Sequence, residues 1–394
     1  MLKETYLWAM GRSERLVARI ATGRWWMARA VVLAILLSLF ISFPRISFFL
    51  GNDPQIVSNW SIIRSQARDP LSMSADQLAN QASHASKLAF RLTVPMIVRV
   101  LHIDWPGALA LQFCVGVALL FLAGKIALDL FGDRIVAVAT IFGVSAIYAG
   151  KAAFLQLGGM CDAFAYFFLT VAIAFRKPLL IAIAVLAASF TDERAMVIAP
   201  LVLVYWAVRS QKAEGPNWFT AQSVAVVAAL VAAVVIRLAL MLGYGLHIPV
   251  GTGKDAGFDV LLRTLPSFQY EFPHVLAGLW LWPLFACILL VRARWWMTLI
   301  LMVGGTAALT AVSFLVLDVD RSLAYSLPVL FVAMAVAAVR HMALGDARSI
   351  AIMGLIISLL FPVNNLLGSV HNRYSVGNLL PVEMVRFYHY ATHR

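Results

Sequence analysis

The chain has 394 residues, 62% of them hydrophobic and 13% charged, against about 45–50% and about 25% in an average soluble domain. That composition excludes a water-soluble globule. Lys+Arg (31) outnumber Asp+Glu (19) for a net charge of +12, which in a soluble protein would point to nucleic acid and here first asks which membrane face holds the charges.

At the N-terminus Arg12, Arg15, Arg19, Arg24 and Arg29 surround the start of the apolar run Ala30–Phe43. No small-residue cleavage site follows, so the run reads as an uncleaved first span rather than a signal peptide. A hydrocarbon core of about 30 Å needs about 20 mostly apolar residues per helix. Breaking the sequence at charge and Gly/Pro clusters places spans near 28–48, 107–130, 135–150, 161–175, 179–191, 194–208, 221–244, 275–291, 296–317, 323–340 and 349–367. The expected fold is therefore all-α and polytopic, with about eleven spans in a range of ten to twelve, forming a single transmembrane domain over 1–394. The runs at 161–175, 179–191 and 194–208 are short enough to include broken or tilted helices.

With the N-terminus in the cytoplasm, the connections Phe131–Arg134, Arg176–Pro178, Arg209–Thr220, Arg292–Arg294 and Arg340–Arg348 share its side, and each carries Arg or Lys. This is the positive-inside pattern. Most of the surplus charge thereby becomes a topology signal, and no nucleic-acid partner is needed to explain it. The tail Gly368–Arg394 falls on the far side. Two far-side segments are long, 51–106 and 245–274. The first contains two amphipathic stretches expected to lie as helices in the interfacial plane. In one of them, Ser74–Val100, Lys87 and Arg91 are four apart and Arg99 lies within about 80° of Arg91 on a helical wheel. Leu88, Phe90, Leu92, Val94, Ile97 and Val98 supply its apolar side.

The three cysteines, Cys114, Cys161 and Cys287, lack disulfide or zinc spacing. His84, His102, His247, His274 and His371 have no metal-binding pattern, so neither a metal nor a cofactor is expected. No G-x-S-x-G, Walker A or dinucleotide fingerprint occurs in a strand–turn–helix context, which removes support for serine hydrolase, ATPase and dehydrogenase readings. Trp25, Trp26, Trp60, Trp105, Trp280, Trp282, Trp295 and Trp296 sit near span ends and read as interfacial anchors.

The far-side span ends collect acid and base. Asp53 lies in LGNDPQ beyond the first span, and Asp162 in GGMCDAFAY heads the fourth. Asp192, Glu193 and Arg194 form TDER, and Asp318, Asp320 and Arg321 form DVDR, each in a tight connection. An ionised group at membrane depth costs about 2.5–3.5 kcal/mol unless it is paired or faces water. One reading is hydrated turns with local pairs, Glu193 with Arg194 and Asp320 with Arg321; the other is a polar cavity open to the far side. Arg237, inside the seventh span, either snorkels or reaches an anionic group in such a cavity.

Taken in order, GNDPQIVSNW, KLAFRLTVPMIVRVL, GGMCDAFAY, TDERAMVIAPLVLV and DVDRSLAYSLPVLFVA resemble the GT-C superfamily of integral-membrane glycosyltransferases over about residues 50–335. The resemblance implies transfer of a sugar from a polyprenyl-phosphate donor to a lipid-linked or polysaccharide acceptor on the extracytoplasmic side, usually with inversion, in a bacterial inner membrane. It also implies an acidic first-loop residue as general base, here Asp53 or Asp69, because the second acid that many members place close after the first is absent. A carboxylate ionised at neutral pH suits that role. Lys87, Arg91, Arg99, Arg194 and Arg321 would stabilise the leaving lipid phosphate, and Asp162, Asp192, Glu193, Asp318 and Asp320 would hold sugar hydroxyls or orient the arginines. The short tail favours a glycolipid or polysaccharide precursor over a protein acceptor. Alternatives are a transporter or flippase for a lipid-linked or anionic substrate, which should show two similar halves with interrupted helices, and a polysaccharide polymerase, which should show an Arg-rich dominant loop. The loop at 245–274 has only Lys254 and Arg263.

Overall fold

The computed structural model describes residues 2–42, 54–71, 88–212, 215–246, 257–361 and 379–392. Among them the protein is all-helical, with one isolated bridge between Lys212 and Gly215 and no strand. The first part of the chain forms α1 (Leu2–Ile20), α2 (Trp26–Ile41), α3 (Pro54–Arg68), α4 (Thr93–Leu101) and α5 (Trp105–Phe131). The middle forms α6 (Arg134–Ala146), α7 (Tyr148–Leu155), α8 (Asp162–Ala174), α9 (Pro178–Thr191), α10 (Glu193–Ile198), α11 (Pro200–Arg209) and α12 (Ala221–Tyr244). The last part forms α13 (Phe258–Thr264), α14 (Phe268–Leu276), α15 (Leu281–Arg292), α16 (Trp296–Phe314), α17 (Val319–Leu323), α18 (Leu327–Val339), α19 (Leu344–Leu360) and α20 (Leu380–Thr392).

Local chemistry sets several boundaries. Asp104, Asp133 and Thr220 accept backbone amides of the first turns of α5, α6 and α12, satisfying donors that a helix start leaves without partners. The carboxy-terminal ends of α5 and α12 stop at Gly132 and Gly245, both in the left-handed conformation. Pro200 separates α10 from α11, because it brings no amide hydrogen to continue the ladder.

α18 sits at the centre. Every residue from Leu327 to Ala337 is buried, as expected of a helix apolar on every side, and α18 packs against α5, α8, α11 and α15. α12 and α16 lie outside, with most of their apolar surface uncovered by protein. Val227, Val231, Val234 and Leu242 are exposed on α12, the distribution a lipid-facing helix requires. The chain is thus a membrane-embedded helical protein.

Among the described residues five helical runs are long and apolar enough to cross a bilayer, and a sixth is added if α6 and α7 count as one broken span. The shorter apolar helices α2, α8 and α9 have 16, 13 and 14 residues, which reach only about 20–24 Å at about 1.5 Å per residue. The span expected near 135–150 is not straight: α6 and α7 meet at 61°. Ile147 is extended at the break, and Gly150 lies so close to the Val144 carbonyl that a Cβ there would come within 2.1 Å of its oxygen. The span expected near 275–291 belongs to a helical run that already begins at Phe258.

The expected amphipathic helix over Ser74–Val100 is corrected. Among the described residues Leu88–Phe90 form a turn and α4 starts only at Thr93, placing Pro95 in its first turn where the missing amide hydrogen costs nothing. Arg91 therefore precedes the helix that carries Arg99, and the two do not share a helical face. Several tryptophans expected at the interface are core residues. Trp26 and Trp282 are buried, and so is Trp60, whereas Trp25, Trp105 and Trp296 are exposed.

Candidate active site

The residues at the start of α8, between α9 and α10 and after α16 converge. Asp162 is the first residue of α8, Asp192 caps α10, and Arg321 lies in α17. Arg321 Nε donates to Asp162 Oδ2, and Tyr325 Oη donates to Asp162 Oδ1 at 3.0 Å. Arg194 Nη2 stands 3.6 Å from Asp162 Oδ1 and forms, with its Nε, a two-pronged contact to Asp192 at 2.5 and 2.6 Å. Its remaining nitrogen, Nη1, donates to Ser322 Oγ at 2.5 Å. Arg91 Nη2 then bridges Asp192 Oδ2 and Glu193 Oε1, each at 2.9 Å. On the other flank Arg321 Nη1 reaches Asp318 Oδ2 at 3.2 Å. Three arginines and four carboxylates so form one continuous network.

Burial grades across this network. Asp162 and Asp192 are 1% and 0% exposed and Arg194 and Arg321 are 5% and 7% exposed, whereas the Glu193 and Asp318 side chains are 49% and 46% exposed. The buried charges are tolerable only because each is paired and hydrogen-bonded. In the connection between α9 and α10, burial works against ionisation of Asp192, but the adjoining Arg194 and Arg91 outweigh it and hold its carboxyl well below the usual range. The exposed carboxylates are the accessible edge of the network. Two buried donors, Arg91 Nε and Arg321 Nη2, have no hydrogen-bond partner among the described residues.

Tyrosines wall the network. Tyr166 Oη donates to the Arg321 carbonyl at 3.0 Å, Tyr166 and Tyr325 meet edge to face at 4.8 Å, and Tyr148 adds a second such contact to Tyr166. The Arg194 guanidinium stands 5.0 Å over the Tyr325 ring. These residues were absent from the sequence-derived candidates, although the signal was there. Tyr166 is four residues after Asp162 and Tyr325 four after Arg321, so each shares a helical face with its charged neighbour.

α3 and the residues leading into α4 are fastened to the same place. Asn59 Nδ2 and Trp60 Nε1 on α3 donate to the Gly158 and Leu157 carbonyls at 2.8 and 2.9 Å, in the loop that leads to Asp162. Gln66 Nε2 donates to the Leu88 carbonyl at 3.1 Å, and Thr93 Oγ1 to the Ala187 carbonyl at 2.7 Å. These bonds set the segment that carries Arg91 over the α9–α10 connection.

The candidates divide accordingly. Arg91, Asp162, Asp192, Glu193, Arg194, Asp318 and Arg321 are brought together. The local pairs expected in the turns are replaced: Glu193 binds Arg91 rather than Arg194, and Asp320, half-buried, makes no ion pair with Arg321 among the described residues. Arg237 neither snorkels nor joins the network directly. Its Nη2 donates to the Ser189 carbonyl at 2.7 Å and its guanidinium lies between Phe90 and Phe190, tying α12 to α9. Asp69 is exposed after α3, where its carboxylate accepts the Leu71 amide at 3.0 Å. Arg99 lines a separate cleft. Asp53 and Lys87 lie outside the described residues. Among the described residues no cluster of His, Cys, Asp and Glu is arranged to hold a metal. No protein-family model, curated protein or solved structure matches this chain.

Proposed function

We propose that the chain is a GT-C-like glycosyltransferase that moves a sugar from a polyprenyl-phosphate donor to a lipid-linked or polysaccharide acceptor. In this reading about eleven spans cross a bacterial inner membrane, the Arg-rich N-terminus is cytoplasmic, and the reaction is extracytoplasmic. The observation that carries it is the convergence of the quoted motif residues from four separate segments on one ionic network with a buried floor and an accessible acidic edge. The acceptor oxygen attacks the anomeric carbon as its proton passes to the carboxylate of Asp53 or Asp69, and the bond from that carbon to the phosphate oxygen breaks. The phosphate departs with the bonding electrons, and the stereochemistry inverts. Its growing negative charge is stabilised by the guanidinium charges of Arg91 and Arg321. Glu193 and Asp318 accept hydrogen bonds from sugar hydroxyls, while Asp162 and Asp192 fix the arginines.

The test is donor consumption by the purified protein with a panel of polyprenyl-phosphate sugars, comparing wild type with Asp53→Asn and Asp69→Asn. Loss of the general base is expected to lower turnover by about 10²–10⁴-fold in one of the two. Full turnover in both variants would overturn the assignment of the base, and no consumption of any donor by wild type would overturn the reaction.

One observation favours a second reading, a transporter or flippase for an anionic lipid-linked substrate. The 61° break between α6 and α7 places the buried Lys151 next to it, with Nζ donating to Ser42 Oγ at 3.0 Å, and interrupted helices are where transporters bind their cargo. Movement of a labelled lipid-linked sugar across proteoliposomes without bond cleavage distinguishes it.

A further inference from the structure

A second polar feature lies apart from the ionic network. Between α3, α4 and the start of α5 is a cleft of about 470 Å³, within the size range of sites that enclose small molecules or headgroups. Its wall carries Arg64 and Arg68, one turn apart on α3, and Arg99 and His102 from the end of α4. All four side chains are exposed, and none of the three arginines forms an ion pair or side-chain hydrogen bond among the described residues. Asp104 is the one acid in the lining, and its carboxylate is already engaged as the cap of α5, accepting the Gly107 amide at 3.2 Å. His102 adopts the left-handed conformation, φ 52°, and so turns the chain back at the end of α4.

The surroundings say which anion fits. Trp60 and Trp105 meet at 6.3 Å beside the cleft, and Trp105 is exposed, a placement that aromatic residues take at the headgroup level. The cleft lining itself is largely apolar below the cations, with Ile63, Ala67, Val98 and Ile103, and Met96, Val100 and Leu101 are further exposed apolar side chains of the same short helix as Arg99. Cationic side chains above an apolar, Trp-flanked rim match an amphiphile with a phosphate at its polar end.

We infer that this cleft binds the phosphate headgroup of an anionic phospholipid, with Arg64, Arg68 and Arg99 on the phosphate and the acyl chains along Met96, Val100 and Leu101. The site holds α3 and α4, and with them the segment that positions Arg91, against the membrane surface. It stands whether or not the chain transfers sugars.

The experiment uses the full-length protein purified from micelles containing phosphatidylglycerol and phosphatidylcholine, with retained lipid counted by native mass spectrometry. Wild type is expected to retain phosphatidylglycerol in preference to phosphatidylcholine. The triple variant Arg64→Gln/Arg68→Gln/Arg99→Gln is expected to lose about tenfold or more of that preference, given the contribution of each cation near an anionic headgroup. A control with the same loss of charge elsewhere, Arg15→Gln/Arg24→Gln/Arg292→Gln, is expected to keep it. A single Arg99→Glu variant provides a second readout with a smaller perturbation and the same direction. Equal preference in wild type and the cleft variants, or equal loss in the control, would overturn the proposal. Displacement of the lipid by millimolar inorganic phosphate would overturn the lipid as the source of the phosphate.

Discussion

Arg321 has the most to lose at the residue scale. Its guanidinium serves Asp162 and Asp318, its carbonyl accepts Tyr166, and Asp162 beneath it is 1% exposed. Replacing it by alanine leaves a buried carboxylate with only Tyr325 in hydrogen-bond contact and Arg194 at 3.6 Å. Arg321→Ala is expected to destabilise the protein by about 3–5 kcal/mol, and the apolar double variant Asp162→Leu/Arg321→Met by much less, because no buried carboxylate is then left alone and Asp318, which also loses Arg321, is solvent-exposed. Thermal unfolding in detergent checks both, and equal losses in the single and double variants would refute the coupling. The residue types were legible in the sequence because charge at a span end is costly and therefore conspicuous. Their partners were not. Sequence proximity suggested Asp320 for Arg321, whereas the helix directs Arg321 toward a carboxylate 159 positions earlier, and only packing of α8 beside α17 and its neighbours can supply that.

At the scale of elements, close backbone approach does what large side chains do in soluble cores. Gly278 faces the Gly354 carbonyl of α19, and a Cβ on Gly278 would lie 2.1 Å from its oxygen. Small residues permit such contacts between membrane helices. The same place is closed by Ser358 Oγ, which accepts the Gly278 amide at 3.1 Å. Gly278→Val is expected to push α19 away and cost about 1–3 kcal/mol or more, with Gly278→Ala intermediate, read as melting temperatures in detergent. Unchanged melting in both would show that the contact is dispensable. The helix starts after Asp104, Asp133 and Thr220 were legible in the sequence to within a few residues, as spans expected from 107, 135 and 221, whereas the span expected over 194–208 ran through Pro200, where α10 gives way to α11. The break at Ile147 was not, since a β-branched apolar residue carries no turn signal, and Gly150, which permits the close approach to the Val144 carbonyl there, is a single small residue in an apolar run.

For the whole molecule, the end of the bundle opposite the ionic network carries a clamp that ties early and late parts of the chain together. Arg348 of α19 donates to Asp133 at the start of α6 at 2.6 Å and stands 3.7 Å from Glu14 of α1. Burial works against the charged form of Asp133, but the bonds from Arg348 and the Val136 amide outweigh it and hold its carboxyl below the usual range. A carboxylate with a lowered folded-state value stabilises fully above its unfolded value and loses that contribution as pH falls through the folded one. The difference in melting temperature between wild type and Asp133→Asn is therefore expected to be constant above about pH 5 and to shrink below about pH 4. A difference that persists undiminished to pH 3 would contradict the clamp. At this scale the sequence disclosed that the chain lives in a membrane, from composition alone. Span lengths were less legible, because α2, α8 and α9 are short helices whose depth depends on neighbours rather than on their own apolar length.

The separation between Asp162 and Arg321 also has a meaning in time. At about 5–20 residues per second, a ribosome needs roughly ten to thirty seconds to add the 159 positions between them. Through that interval α8 exists without the guanidinium that donates to Asp162 Oδ2, so the nascent helix must offer that oxygen to water or to another donor. Burial of that carboxylate with Arg321 marks the arrival of the C-terminal helices. A chain cut before Asp318 cannot complete it.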